Sequence, residues 1–199
     1  MAVAEAFRTK HVRAVEEPEP HSQEEFVALA AAYPDLRLEM TKEGEFRIMA
    51  PAGGETGNWN ANLTADLVLW NRLAKSGKVF DSSTGFILPN GAKRSPDASW
   101  VELSRWEALP LADRKKFLPL CPDFLIELRS DTDRLSELQA KMREYRENGA
   151  RLGWLIDPKS SRVEIYRPGQ EVEILDAPAS ISGDPVLPGF TLDLEDILS

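Results

Sequence analysis

Two carboxylates and one amine in this chain are of the types that can act together on a phosphate. Asp97 lies in Arg94-Ser95-Pro96-Asp97-Ala98-Ser99-Trp100, Glu127 in Phe124-Leu125-Ile126-Glu127-Leu128, and Lys141 further along. A hard divalent cation such as Mg²⁺ or Mn²⁺ takes carboxylate oxygens and water as ligands. A nearby ammonium can orient an attacking water and offset charge building on a phosphate, so the set suits metal-assisted cleavage of phosphodiesters.

Each of the three also has a plain structural alternative. Glu127 can be the salt-bridge partner of Arg129 or Lys141, and Asp97 a strand-start carboxylate after Pro96. Lys141 can face solvent and pair with Glu137, four residues earlier, in the favourable Glu-before-Lys order. What singles out Glu127 is its company, because a charge among Phe124, Leu125, Ile126 and Leu128 is costly unless it is paired or bound to a metal.

The elements that must position these groups follow from the pattern around them. Phe124 to Leu128 has the continuous apolar character of a central strand. Asp97 stands on a strand ending near Glu102; if the two strands are neighbours, both carboxylates converge on one cation, with the backbone carbonyl of Leu128 as a further oxygen ligand. A helix is predicted from about Arg134 to Asn148, with Asp131 and Asp133 as caps and Gly149 as its stop. Leu135, Leu138, Met142 and Tyr145 form its apolar stripe, and Lys141 and Gln139 lie on opposite borders of that stripe.

Upstream, Ser22 with Glu25 fits a capping box, Phe26, Leu29 and Ala30 supply a stripe, and Pro34 closes the helix. Alternation in Leu36 to Met40 and in Phe46 to Ile48 predicts a hairpin, followed by a Gly-rich connection from Pro51 to Asn58. Leu63, Leu67, Trp70 and Leu73 recur at helical spacing, which predicts a helix from about Trp59 to Lys75 stopped by Gly77. Short strands are expected at Lys78 to Phe80, Gly85 to Leu88, Trp154 to Ile156, Val163 to Tyr166 and Val172 to Leu175, with a loop-rich end through Pro188-Gly189-Phe190. Residues 1–21, acidic and proline-rich toward Pro20, are expected to form a flexible arm, leaving 22–199 as one α/β (α+β) domain.

Composition narrows the field. With 199 residues, 42% hydrophobic and 29% charged, the chain can bury a full core, and it contains no apolar run long enough for a membrane helix. The amino terminus lacks the apolar centre of a secretory signal, so a cytoplasmic location is expected. The single cysteine, Cys121, with His11 and His21, provides neither an intrachain disulfide nor a Cys/His zinc pattern. No histidine is placed to activate Cys121 as a nucleophile, and Gly53-Gly54 lacks the lysine of a phosphate loop.

A net charge of -9 argues against strong nonspecific nucleic-acid binding, which depends on Lys and Arg neutralising phosphates. Local basic groups remain at Lys93-Arg94, at Arg114-Lys115-Lys116, and at Arg143, Arg146 and Arg151, although such groups are commonly solvated faces. Trp59, Trp70 and Trp154 are expected in the core, while Trp100 and Trp106 fall near the mouth of the site.

A longer ordered pattern surrounds the three residues. It runs through Ser82-Ser83-Thr84-Gly85-Phe86, Leu88-Pro89-Asn90-Gly91, Arg94 to Trp100 and Pro122 to Ser130. It continues with Asp133, Leu138-Gln139, Lys141-Met142, Tyr145, Asn148-Gly149 and Gly153-Trp154-Leu155-Ile156-Asp157-Pro158. This resembles the Uma-type restriction endonucleases of the PD-(D/E)XK nuclease superfamily, over about residues 22 to 192. The resemblance implies a restriction-endonuclease-like fold, a mixed β-sheet flanked by helices, with Asp97 and Glu127 as ligands of Mg²⁺ or Mn²⁺ and DNA as substrate. It makes Lys141 a migrated catalytic lysine and Glu39, in the first hairpin, a metal or water contact. The usual lysine position, two residues after the second carboxylate, holds Arg129, which cannot readily serve as a base. Where many members carry a histidine at the start of the next helix this chain has Asn58, so no histidine role is transferred.

Three classes of function follow. The first is a metal-dependent endonuclease, and the second a catalytically weak or inactive nuclease-fold binding or regulatory module, favoured by the acidic charge and by Arg129. The third is a structural homodimer in which the carboxylate cluster is incidental.

Overall fold

The computed structural model describes residues 21–33 and 36–198. Residues 1–20 of the expected arm, and Pro34, therefore lie outside the described residues. His21, the last residue assigned to that arm, is held in place: its N–H donates to Gly44 O at 3.0 Å and its ring stacks on Phe46 at 4.1 Å.

Helix α1 (Gln23–Ala32) opens with the capping box, in which Ser22 Oγ accepts from Glu25 N at 3.1 Å and Glu25 Oε2 from Ser22 N at 2.9 Å. Strands β1 (Arg37–Met40) and β2 (Phe46–Met49) pair as an antiparallel hairpin. Helix α2 (Gly54–Ala74) starts inside the segment expected to be a connection. Its first turn carries Glu55 at the positive end of the helix, and burial of Leu63 and Leu67 supplies the stability that glycine-rich propensity withholds. It ends at Lys75 in the left-handed conformation and not at Gly77. Gly77 instead lies in a strand, where a Cβ would meet Trp100 Nε1 at 2.3 Å, so only glycine lets that indole close over the backbone.

The remaining elements are β3 (Gly77–Asp81), β4 (Phe86–Ile87), β5 (Lys93–Arg94), β6 (Ala98–Glu102), α3 (Leu103–Ala108), β7 (Phe124–Leu128), α4 (Leu135–Glu147), β8 (Leu152–Asp157), β9 (Arg162–Tyr166), β10 (Glu173–Asp176), β11 (Ser180–Ser182), β12 (Thr191–Asp193) and α5 (Glu195–Leu198). The expected caps of α4 do other work. Arg134 occupies the N-cap without a side-chain bond, while Asp133 Oδ2 accepts from Ser130 N and Oγ at 2.8 and 2.6 Å.

Six strands form the main sheet in the order β10-β9-β8-β7-β6-β3, with β7 and β8 parallel and the other pairs antiparallel. Side chains alternate across it. Phe124, Ile126, Leu128, Trp154 and Ile156 pack against Leu63 and Leu67 of α2, and against Ile181, Leu187, Phe190 and Leu192 of the tail. Residues 183–190 of the tail form turns, as expected, while β11, β12 and α5 add short elements on either side, and together they cover this face with apolar residues too widely spaced to show periodicity. Leu125 and Leu155 point to the other face, where Met142 and Tyr145 of α4 meet them.

A second sheet, β2-β1-β5-β4, stands beside the first. One of its faces packs Leu38 and Met40 on Phe26 of α1. Alternation and the pairing of Glu39 with Arg47 turn Arg37, Glu39 and Arg47 to its other face. Among the described residues, no helix is long and apolar enough to cross a membrane.

Candidate active site

Asp97 sits immediately before β6, and its N–H continues the ladder by donating to Ile126 O at 3.1 Å. Because Ala98 pairs with Ile126, the antiparallel register brings Asp97 opposite Glu127. Asp97 Oδ2 accepts from Leu128 N at 2.8 Å, and Oδ1 from Asn60 Nδ2 of α2 at 3.3 Å. A residue's N–H and C=O leave an extended strand on the same side, so the Leu128 carbonyl also lies on the Asp97 edge of β7.

Glu127 is buried, and its Oε1 accepts from Lys141 Nζ at 2.8 Å and from Tyr145 OH at 3.1 Å. Lys141 does not pair with Glu137, which binds Arg47 at 2.7 Å and Arg134 at 3.6 Å. Lys141 turns inward, and the same Nζ lies 2.8 Å from Glu39 Oε1. Glu39 in turn accepts from Ser95 N at 2.9 Å and from Arg94 Nη1 at 3.3 Å. Arg94 is shared, since its Nε reaches Glu144 Oε2 at 2.6 Å. Arg129 is committed elsewhere, to Asp157 Oδ2 at 2.8 Å.

One ammonium therefore serves two carboxylates that are not equally supplied. Glu39 is buried, yet Lys141 and Arg94 together hold it below the usual carboxylate range. Burial pushes Glu127 up to about 8; Lys141 opposes this, while the charges of Asp97 and Glu39 add to it. Asp97 is also raised by burial, against the Leu128 amide, Lys141 and Arg37. Lys141 is raised, because Glu127 and Glu39 outweigh its own burial, so it is an ammonium at neutral pH.

Adjacent carboxylates held above their normal range form a site short of positive charge, which a hard cation would supply. Among the described residues, no three Asp, Glu, His or Cys side chains form a ready-made ligand cluster. The donors present are two carboxylates and a backbone carbonyl, and Glu127 Oε2 has no hydrogen-bond partner among the described residues. That set fits Mg²⁺ or Mn²⁺, since Mg²⁺ keeps several waters and needs only one or two protein carboxylates.

Several further residues contribute to the site without a local signal in the sequence. Arg94 and its neighbour Lys93, a basic pair in the sequence, are both buried, and Lys93 faces the opposite way, donating to Gly91 O at 2.8 Å beneath Phe26. Tyr145, part of the core stripe, also reaches the site through its hydroxyl. Asn60 Oδ1 and Arg37 Nε are buried without a hydrogen-bond partner. Beside the site, a cleft of about 450 Å³ separates the β1–β2 hairpin from α4, with Glu39, Arg47, Arg94, Arg134, Lys141 and Arg143 among its lining residues.

Other candidates belong to the scaffold. Trp100 lies in the core with Nε1 donating to Asn71 Oδ1 at 3.1 Å, and Trp106 packs beside Phe80 and Arg114, so neither stands at the mouth. Arg114 donates to Leu109 O and Glu107 O, and Arg151 pairs with Glu102 at 3.0 Å. Cys121 is buried, which pushes its thiol up to about 12 and removes it as a nucleophile.

A mixed sheet flanked by helices, with one carboxylate on a central strand and another just ahead of the adjoining strand, describes a restriction-endonuclease-like fold. A solved structure described as a "putative nuclease belonging to DUF820 from Anabaena variabilis ATCC 29413" shares it, with a TM-score of 0.69 and 20% identity over 81% of this chain and 89% of that one. The family model described as "Uma2: Putative restriction endonuclease" matches residues 23–195, and the chain belongs to that family. No curated protein matches the chain.

Proposed function

We propose that this protein is a Mg²⁺- or Mn²⁺-dependent endonuclease that hydrolyses phosphodiester bonds in DNA, acting in the cytoplasm. The observation that carries the reading is the apposition of half-buried Asp97 and buried Glu127, with Lys141 bonded to Glu127 at 2.8 Å. Asp97, Glu127 and the Leu128 carbonyl would hold the cation. When bound, the metal polarises a phosphoryl oxygen and lowers the pKa of its water.

The remaining chemistry belongs to the chain itself. Lys141 is charged, so it donates hydrogen bonds to the attacking water or to a phosphate oxygen and does not remove a proton. Glu39 orients the Lys141 ammonium, and Arg94 fixes Glu39 in turn. Tyr145 OH keeps Glu127 Oε1 turned toward Lys141, leaving Oε2 for the cation.

A second reading, a nuclease-fold binding module without turnover, draws on the commitment of Arg129 to Asp157, which leaves no cation of its own at the usual lysine position. Incubating plasmid and single-stranded DNA with wild type, Asp97→Ala and Glu127→Ala in Mg²⁺ or Mn²⁺ separates the two. The endonuclease reading requires cleavage by the wild type alone. Equal cleavage by all three, or none by any, removes it.

A further inference from the structure

Most cations on the site face of the small sheet, or facing it, are answered by carboxylates. Arg47 meets Glu137 at 2.7 Å, Arg94 meets Glu39 at 3.3 Å and Glu144 at 2.6 Å, and Lys141 meets Glu39 and Glu127 at 2.8 Å each. Arg37 differs. Among the described residues it forms no ion pair; it donates from Nη2 to Ser82 O, and its Nε is buried with no acceptor. Arg37 is only half-buried, and its Nη1 makes no hydrogen bond among the described residues, so that edge of the guanidinium is the donor left for an acceptor that arrives from outside.

The backbone fixes where that acceptor would be. Arg37 lies two residues before Glu39 in β1, on the same face. Asp81 pairs with Ala98, so Ser82 follows the ladder to a place opposite Asp97, and the bond to Ser82 O anchors the guanidinium beside that carboxylate. The Arg37 charge accordingly helps to hold the Asp97 carboxyl down against burial. A guanidinium offers a planar fork of donors that matches phosphate oxygens and stays charged at any working pH.

We propose that Arg37 is the phosphate-binding residue of this site, its free guanidinium edge contacting a nonbridging oxygen of a DNA phosphodiester lodged against Asp97. This rests on the endonuclease reading above and adds to it the group that seats the substrate.

The test is the affinity for a short DNA duplex in Ca²⁺ over a range of salt, for wild type, Arg37→Met and Arg37→Lys, with thermal melts and Mn²⁺ titrations alongside. Loss of one phosphate contact lowers the slope of log affinity against log salt by about 0.9. Arg37→Met is expected to bind on the order of tenfold more weakly, as for a lost hydrogen bond to a charged group. Its slope should be shallower and its Mn²⁺ affinity no weaker, while Arg37→Lys regains the wild-type slope. Should Arg37→Met fail to fold, Arg37→Gln, which can still donate to Ser82 O, gives the same comparison. Duplex binding by the wild type with an unchanged slope in the variants overturns the assignment of Arg37 and leaves the endonuclease reading standing. A wild type that neither binds nor cuts the duplex removes both.

Discussion

Lys141 Nζ stands 2.8 Å from Glu127 Oε1, so a single buried ion pair ties helix α4 to the central strand β7. The same nitrogen reaches Glu39 on the second sheet, which makes this lysine the point where helix and both sheets meet. Structure and chemistry are therefore joined in one side chain.

Removing that cation should be severe. Lys141→Met leaves two buried carboxylates sharing a site, and loss of one member of a buried pair typically costs about 3–5 kcal/mol. Urea unfolding at pH 8 is expected to show a loss of that order, and a smaller loss at pH 5, where Glu127 is protonated. A loss independent of pH would show that Glu127 is not the group left uncompensated.

Glu127 itself should burden the fold in alkaline solution. Its folded pKa, about 8, lies above the ordinary value of 4.5, so between those values the native state binds more protons than the unfolded chain. Stability from this group is present below pH 4.5 and is lost as pH rises toward 8. Glu39, shifted down, acts oppositely: its contribution is present above its unfolded pKa and is lost as pH falls through its folded value. Without divalent metal, Glu127→Gln should thus melt higher than wild type at pH 8, by a few degrees for each kcal/mol regained, on the order of 2–4 °C. Equal melting across pH 5 to 8 would contradict the raised pKa.

Tyr145→Phe removes the hydroxyl donating to Glu127 Oε1 and should cost about 1 kcal/mol. With one donor fewer on its carboxylate, Glu127 should titrate higher still. The pH midpoint for Mn²⁺ binding is expected to move up in this variant; an unmoved midpoint would make the tyrosine a packing residue only.

The legible part of this protein was local. Glu127 showed itself as a charge inside an apolar strand, whereas the border position of Lys141 on the α4 stripe left a pairing with Glu137 equally open, and its role came mainly from the resemblance. Glu39 came only from the resemblance, because a hairpin's sequence does not reveal what its face meets. Arg94 was hidden because β5 is two residues long, too short for alternation to distinguish a buried face from a solvated one. Arg37 and Asn60 acquire meaning only through partners distant in sequence, Ser82 and Asp97. The packing of the tail was hidden for a related reason: Ile181 and Leu192 sit in strands three residues long and Phe190 just before the second of them, and their burial is decided by the sheet they cover.

The central claim is that Asp97 and Glu127 together hold one divalent cation, and Mn²⁺ titration calorimetry on wild type, Asp97→Asn and Glu127→Gln tests it most directly. The account predicts one Mn²⁺ per chain for the wild type, tighter as pH rises through about 8, and binding lost in either variant. Mn²⁺ bound equally by all three proteins, or by none, would contradict it.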